Sequence, residues 1–109
     1  FIVDRKKDMV ISGGMNIYTK EVEAVLFAHA AVAEAAVFGL PDTHWGEVVC
    51  AAVVVRAGCQ VSAEQLIEAC RERLASYKKP QKVFFVADLP KNPSGKVLKR
   101  ELRAALAHG

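Results

Sequence analysis

Apolar positions along the chain follow two periods, one typical of helices and one typical of strands. Two short strand-like runs, Met9–Ser12 and Asn16–Tyr18, flank Gly13-Gly14, a pair suited to a tight hairpin turn with positive φ. A helix is predicted next, with Thr19 as its N-cap and Glu21 in its first turn. Its apolar stripe at helical spacing consists of Val22, Val25, Leu26 and His29.

The middle of the chain carries two runs rich in alanine and valine, 32–40 and 48–55, which predict strands. The second run is apolar throughout, so we expect it to be buried on both faces. Ser62 and Gln65 form a capping box, which predicts the start of a second helix. A further buried strand is predicted at 83–86. The loop 89–95 contains two prolines and a glycine, and a last helix follows it.

This order of elements predicts the α+β fold class. We expect a small, mainly antiparallel or mixed sheet packed with about three helices, plus the short N-terminal Gly-Gly hairpin. The 109 residues fit one domain, and 52% hydrophobic with 25% charged residues is typical of globular proteins. The opening at Phe1 reads as the middle of a polypeptide, so we expect sequence upstream of it. The longest apolar run is too short to span a bilayer.

Charge is distributed unevenly along the chain. Residues 1–76 hold 7 basic and 10 acidic side chains, whereas residues 77–109 hold 8 basic and 2 acidic ones. A basic segment of this kind suits a partner that carries phosphates, although a solvated basic face would give the same pattern. The basic residues are Lys78, Lys79, Lys82, Lys91, Lys96, Lys99, Arg100 and Arg103.

Cysteines and histidines do not form a recognisable ligand set. Cys50, Cys59 and Cys70 are widely spaced and odd in number, which argues against a disulfide framework and against a zinc site. The three histidines are scattered as well. We therefore expect no metal site in this chain and mostly buried, reduced cysteines, as in a cytoplasmic protein.

Ser94-Gly95-Lys96 has the ending of a phosphate-binding P-loop but not its spacing. A Walker A motif would need glycine where Pro90 stands and serine or threonine where Val97 stands. Lys96 nevertheless follows a loop bracketed by proline and glycine, which can present its ammonium to an anion. Judged without further context, Lys96 would be an ordinary surface lysine.

Longer motifs at both ends of the chain give Lys96 a context. The run Asp4 to Tyr18, continued by Glu21-Val22-Glu23, resembles a core motif of the adenylate-forming (AMP-binding) superfamily. The run Leu89 to Lys96 resembles the final motif of that superfamily, and 39–47 and 77–80 also fit it. The superfamily includes acyl- and aryl-CoA synthetases and the adenylation domains of peptide synthetases. The resemblance covers essentially all of the chain.

The resemblance implies that residues 1–109 are the single, mobile C-terminal domain of a ligase whose large N-terminal domain is absent. Lys96 then matches the lysine that serves acyl-adenylate formation. Arg5 matches an arginine that contacts the ribose of ATP or AMP, with a salt bridge to Asp4 or Asp8 as its alternative role. Lys7 matches the hinge, within a hinge region of residues 1–8, and is otherwise a surface lysine.

The resemblance also implies a set of residues that contact CoA. Gly13 and Gly14 match the hairpin that lines the pantetheine tunnel, a role compatible with simple turn formation. Trp45 and Tyr77 resemble aromatic positions near CoA in aryl-CoA ligases, and Trp45 could instead anchor its own loop. Lys78 and Lys79 stand where basic residues meet the CoA phosphates.

The expected function is therefore that of an ATP-dependent carboxylic acid–CoA ligase, with a fatty acid as the expected substrate class. ATP and Mg²⁺ would be bound mainly by the absent N-terminal domain, and CoA would be a substrate. The expected partners are that domain, ATP or AMP, CoA and a carboxylic acid, and the fragment alone should be inactive. The expected location is cytoplasmic, with no transmembrane segment.

Two alternative functions also fit the sequence. The first is an adenylation domain that loads a carrier protein; we expect a downstream carrier domain in that case, and the chain ends at Gly109 soon after the last helix. The second, from another class, is a small basic module that binds nucleic acid or a protein. Few aromatic residues interleave with the basic ones, so we expect no nucleic-acid partner.

Overall fold

The long antiparallel pair of strands β3 (Val32–Asp42) and β4 (Gly46–Val55) forms the centre of the computed structural model, which describes residues 9–74 and 78–106. Their register runs from Val32 opposite Val55 to Asp42 opposite Gly46, with one irregularity between Val32 and Glu34. Residues 48–53 of β4 are all buried. The prediction that this strand is covered on both faces is confirmed.

Six further elements surround this pair of strands in the described residues. They are β1 (Met9–Ser12), β2 (Met15–Tyr18), α1 (Thr19–Phe27), α2 (Ala63–Arg73), β5 (Lys82–Phe85) and α3 (Lys99–Leu106). Strands β1 and β2 pair antiparallel as the predicted Gly-Gly hairpin, residues 9–18. Strand β5 pairs parallel with β4, so the three-stranded sheet β3-β4-β5 is mixed. The predicted α+β class is confirmed.

Helix α1 begins differently from its prediction. Its N-cap is Tyr18, which makes no side-chain capping hydrogen bond, and Thr19 is already helical. The Thr19 side chain is buried and its hydroxyl accepts a hydrogen bond from Lys99 Nζ at 3.2 Å. The N-cap assignment of Thr19 was therefore wrong, because a tertiary contact uses the hydroxyl that would have capped the helix.

Helix α2 begins as its sequence predicts. The Gln65 backbone N–H donates to Ser62 Oγ at 3.1 Å, and the Ser62 N–H donates to Gln65 Oε1 at 2.8 Å. This reciprocal pair satisfies two backbone donors that the helix leaves without partners. Leu66 and Cys70 then lie one turn apart on the buried face.

Strand β5 is less buried than predicted. Its burial pattern shows exposed residues at both ends, and Phe85 is 45% exposed. Because β5 is the edge of the sheet, only its side toward β4 is fully paired. The apolar run in edge strand β5 is thus less buried than the one in central strand β4, although the two runs are similar in sequence.

Two separate hydrophobic cores cover the two faces of the central strands. The first core joins Val37, Val49 and Val53 to the Gly-Gly hairpin and to helices α1 and α2. The second core joins Phe38, Cys50 and their neighbours to Leu89 and to Leu102 of α3. Successive strand residues point to opposite faces, so the alternation along β3 and β4 produces both cores.

Glu23 connects helix α1 to both the sheet and the last helix. Its Oε2 accepts the backbone N–H of Val37 on edge strand β3 at 2.9 Å and pairs with Lys99 Nζ at 2.8 Å. The side chains of Glu23 and Lys99 are each 19% exposed. A mostly buried ion pair with an added backbone hydrogen bond is costly to break, because each partner left behind stays poorly solvated.

We expect Glu23→Ala to lower the free energy of unfolding of the chain by about 2 kcal/mol, since it removes both the ion pair and the acceptor for Val37. Glu21→Ala is the matched control on the same helix. The Glu21 carboxylate pairs with Lys78 at 2.7 Å but its side chain is 46% exposed, so its loss should cost less than about 1 kcal/mol. Urea denaturation at pH 7 measures both, and equal losses would contradict the assignment.

Candidate functional site

The turn of the Gly-Gly hairpin lies against the loop that joins β3 to β4. Gly13 and Gly14 have φ of +58° and +81°, values that favour glycine over residues with a side chain. The Gly13 N–H donates to the carbonyl of Trp45 at 2.9 Å. A Cβ on Gly13 would lie 2.7 Å from Trp45 Cε3, whereas among the described residues no heavy atom lies within 4 Å of a Cβ on Gly14.

The Trp45 turn, residues 42–46, is held by its own acidic residue. Asp42 Oδ2 accepts the backbone N–H groups of His44 and Trp45 at 3.0 and 2.9 Å. The rings of His44 and Trp45 meet edge to face with centroids 4.7 Å apart. The indole lies beside Gly13, and Trp45 as a whole remains 49% exposed, so part of its surface is accessible to a ligand or partner.

A second bond ties the hairpin to the central strands. Ile11 of β1 donates its backbone N–H to Glu47 Oε1 at 3.0 Å. Together with the bond from Gly13 to Trp45, this contact fixes the hairpin at the end of the β3–β4 pair. The structure thus brings Gly13, Gly14 and Trp45 together, three residues for which the resemblance implies a common ligand.

Lys96 lies in a closed loop, residues 91–97, called here the Lys96 loop. An antiparallel bridge between Lys91 and Val97 closes it, and Lys96 itself is exposed. Asn92 Oδ1 accepts the backbone N–H groups of Ser94 and Lys96 at 2.9 and 3.0 Å. Gly95 donates its N–H to the Asn92 carbonyl at 2.9 Å with φ +88°.

These internal bonds decide what the Lys96 loop can offer an anion. In a P-loop the backbone N–H groups point at the phosphates. Here the N–H groups of Ser94, Gly95 and Lys96 all donate to Asn92. These backbone donors are therefore satisfied within the loop, which agrees with the sequence evidence against a Walker A motif. An anion at this loop would have to be bound by side chains, of which Lys96 is the exposed basic one next to Gly95.

The basic segment of the chain is partly matched by acidic groups from residues 1–76. Among the described residues, its lysines make ion pairs with carboxylates of α1 or β3 that include Lys78–Glu21, Lys91–Glu34 and Lys99–Glu23. The hydrogen bond that Lys91 donates to Glu34 raises the pKa of that ammonium. Part of the uneven charge in the sequence thus serves intramolecular pairing rather than an external partner.

The remaining predicted site residues are not part of the hairpin, the Trp45 turn or the Lys96 loop. Lys78 Nζ lies 2.7 Å from Glu21 Oε1, so a phosphate at Lys78 would compete with this carboxylate, and the adjacent Lys79 is half-buried. Arg5, Lys7 and Tyr77 lie outside the described residues. Their proposed roles stay predictions.

The Gly-Gly hairpin and the Lys96 loop are anchored on opposite faces of the central strands. Val10 and Ile17 of the hairpin belong to the first core. Leu89, which precedes the Lys96 loop, belongs to the second core, and Val97 at the end of the loop packs against it. A partner that covers one of these faces leaves the other face directed away from it.

Cysteines and possible metal ligands are the remaining candidates for reactive chemistry in the described residues. Burial raises the pKa of Cys50 and of Cys70 to about 11, so both thiols stay protonated near neutral pH, and Cys59 is exposed. Within residues 9–74 and 78–106 no three His, Cys, Asp or Glu side chains are grouped to hold a metal ion. In the same ranges no helix has the length and apolar character needed to cross a membrane.

Comparison with known families identifies this arrangement. The family model described as the AMP-binding enzyme C-terminal domain matches residues 21–96. The chain belongs to this family. The matched range includes the Trp45 turn and ends on Lys96, while the first core and the second core both lie largely within it.

Known members of the AMP-binding family are similar to this chain over almost its whole length. The long-chain-fatty-acid–CoA ligase FadD13 of Mycobacterium tuberculosis is 52% identical over 103 residues, 94% of this chain and 20% of that ligase. A 2-succinylbenzoate–CoA ligase of Geobacillus sp. is 47% identical over 103 residues, 94% of this chain and 21% of that ligase. The chain spans about a fifth of the length of the curated relatives it matches.

A solved structure agrees with the fold described above. The Mycobacterium tuberculosis fatty acyl CoA synthetase matches with a TM-score of 0.88 at 48% identity, over 94% of this chain and 20% of that one. The mixed sheet with its two cores is therefore the fold of a C-terminal AMP-binding domain.

The residues that hold these features in place carry weak signals or none in the sequence. Asn92 was noted only as part of a motif, although an asparagine between two prolines is a typical side-chain turn former. Asp42 offered a similar signal ahead of Trp45. Glu23 and Lys99 offered none, because their contact joins elements that are distant in sequence.

We expect Gly13→Ala to lower the free energy of unfolding more than Gly14→Ala. Both variants place alanine at positive φ, at a cost of roughly 1–2 kcal/mol, but only the first drives a Cβ into Trp45. The added overlap should cost about 1 kcal/mol more. Trp45 is the one tryptophan in the sequence, so its fluorescence should change in the Gly13 variant and stay near that of the parent in the Gly14 variant.

The control for this prediction is the same pair of substitutions in a Trp45→Ala background. Without the indole, the two glycine variants should differ by no more than about 0.5 kcal/mol. A difference that persists in this background would show that the cost at Gly13 has another origin.

Proposed function

We propose that this chain is the C-terminal domain of an AMP-forming carboxylic acid–CoA ligase. The observation that carries the proposal is the anchoring of the Lys96 loop and the Gly-Gly hairpin on opposite faces of one sheet. A ligase of this kind runs two half-reactions, first an acyl-adenylate and then a thioester. A domain with two functional faces can serve one half-reaction with each face, provided that it turns between them.

Lys96 is proposed to act in the first half-reaction. There, a substrate carboxylate oxygen attacks the α-phosphorus of ATP, and pyrophosphate leaves as the bond from that phosphorus to the bridging oxygen breaks. Negative charge moves from the carboxylate to the phosphoryl oxygens and the bridging oxygen. An ammonium placed among them stabilises the transition state more than the ground state. The exposed position of Lys96 on an internally satisfied loop suits this role, because its side chain supplies the positive charge.

The Gly-Gly hairpin is proposed to act in the second half-reaction. Gly13 and Gly14 would let the thin pantetheine arm of CoA pass close to backbone, and Trp45 would present its exposed indole face beside them. Lys78 and Lys79 are proposed to meet the CoA phosphates, with Tyr77 next to them in sequence. The Lys78–Glu21 pair would then exchange a carboxylate for a phosphate.

The remaining roles depend on a large N-terminal domain as partner. We propose that Arg5 contacts the ribose of the nucleotide and that Lys7, in the hinge region 1–8, is the pivot between the two half-reactions. We propose that ATP and Mg²⁺ are held mainly by the partner domain. The proposed location is the cytoplasm, where CoA and ATP are supplied.

The acid substrate is the least constrained part of the proposal. A fatty acid is the first candidate, because a long-chain-fatty-acid–CoA ligase is 52% identical to this chain. A 2-succinylbenzoate–CoA ligase is almost as similar, at 47%. Two relatives that act on such different acids share this domain, so the acid is expected to be selected by the other domain.

We expect Lys96→Ala in the full-length ligase to reduce acyl-adenylate formation by about 10²- to 10³-fold, the usual loss for one transition-state charge contact. Thioester formation from supplied acyl-adenylate should be largely retained. ATP–pyrophosphate exchange measures the first step, and release of AMP from added acyl-adenylate and CoA measures the second.

Arg100→Ala is the matched control, because Arg100 is an exposed basic residue four positions further along the chain. It should leave both steps near the parent rates. Equal losses in the two steps for Lys96→Ala would contradict the division of roles between the two half-reactions. ATP–pyrophosphate exchange by the 109-residue chain alone would contradict the proposal that this chain needs a partner domain.

A further inference from the structure

Asn92 is hydrogen-bonded to three other residues of the Lys96 loop through its side chain and through both of its backbone groups. Its Oδ1 accepts the N–H groups of Ser94 and Lys96, its carbonyl accepts the N–H of Gly95, and its own N–H donates to the Lys96 carbonyl at 3.0 Å. Four hydrogen bonds of the loop therefore converge on one half-buried residue. Two of them hold the backbone of Lys96 from both of its sides.

The base of the loop is fixed independently of Asn92. Leu89 is buried in the second core, and Leu98 donates its N–H to the Pro90 carbonyl at 2.8 Å. The Lys91–Val97 bridge closes the loop above this base. The part of the loop whose path depends on the Asn92 side chain is thus the segment 94–96, which carries the ammonium.

Removal of the Asn92 amide would leave two backbone N–H groups of this segment to be satisfied by water. The bonds through the Asn92 backbone would persist, so the loop would stay closed, but the backbone N–H of Lys96 would lose its acceptor on Asn92. Misplacement of a catalytic group by about 1 Å can cost on the order of 10²-fold in rate. A residue with this effect acts through Lys96 rather than on the substrate.

We infer that Asn92 is a positioning residue that holds Lys96 in the orientation required for acyl-adenylate formation. This inference rests on the proposed role of Lys96, which it deepens. A positioning role predicts that Asn92 matters for one half-reaction only. A role in general stability would instead affect both half-reactions, because the same folded domain serves each of them.

The test is a double-mutant cycle in the full-length ligase with the parent protein, Asn92→Ala, Lys96→Ala and the double variant. We expect Asn92→Ala to slow acyl-adenylate formation by about 10- to 100-fold and to leave thioester formation from supplied acyl-adenylate unchanged. The unchanged second step also shows that the variant is folded. In the Lys96→Ala background the Asn92 substitution should have no further effect, since the group it positions is absent.

Asn92→Thr provides the conservative variant. A threonine hydroxyl can accept backbone N–H groups in the same kind of turn, though more weakly than the amide. Its adenylation rate should therefore lie between those of the parent and Asn92→Ala, and a rate no higher than that of Asn92→Ala would count against the hydrogen-bond mechanism.

The outcomes separate this inference from the function on which it rests. If Lys96→Ala leaves adenylation intact, the proposed function of Lys96 fails. If Lys96→Ala slows adenylation but Asn92→Ala does not, the positioning role alone is overturned. The positioning role is also overturned if Asn92→Ala slows both half-reactions equally or multiplies the loss in the Lys96→Ala background.

Discussion

Burial of strand β4 on both faces is the constraint on which the rest of this domain depends. Residues 48–53 are buried without interruption, and each fully buried valine among them contributes about 1.5–3 kcal/mol relative to exposure. A two-stranded ribbon cannot cover both of its own faces, so other elements must pack on each side. Helices α1 and α2 and the Gly-Gly hairpin cover one side, while α3 and the base of the Lys96 loop cover the other.

This constraint links packing to the proposed chemistry. The elements that cover β4 carry the two candidate functional segments, so the same burial that stabilises the sheet separates Lys96 from Gly13 and Gly14. Polar contacts then fix individual segments in position on each side. The Trp45 turn and Glu47 fix the hairpin, Asn92 fixes the Lys96 loop, and the Glu23–Lys99 pair joins helix α1 to the start of α3.

Features of the fold that depend on neighbours in sequence could be predicted. Contacts between residues that are far apart in sequence could not. The capping box at Ser62 and Gln65 and the Gly13-Gly14 turn involve neighbours in sequence, and both predictions are confirmed. Thr19 was assigned wrongly because its partner, Lys99, lies 80 residues away. The motifs predicted the family and drew attention to Lys96, but contacts such as the one between Gly13 and Trp45 depend on the register of β3 and β4, which no local pattern encodes.

The most direct test of the two-face account is Gly14→Asn in the full-length ligase, measured in both half-reactions. Asparagine tolerates positive φ, and among the described residues nothing lies within 4 Å of a Cβ at this position, so the domain should keep its fold. If this face serves the thiol step, the added side chain should slow thioester formation from supplied acyl-adenylate by roughly 10- to 100-fold and leave ATP–pyrophosphate exchange unchanged. Exchange that falls together with thioester formation, or a thioester rate equal to that of the parent, would contradict the account.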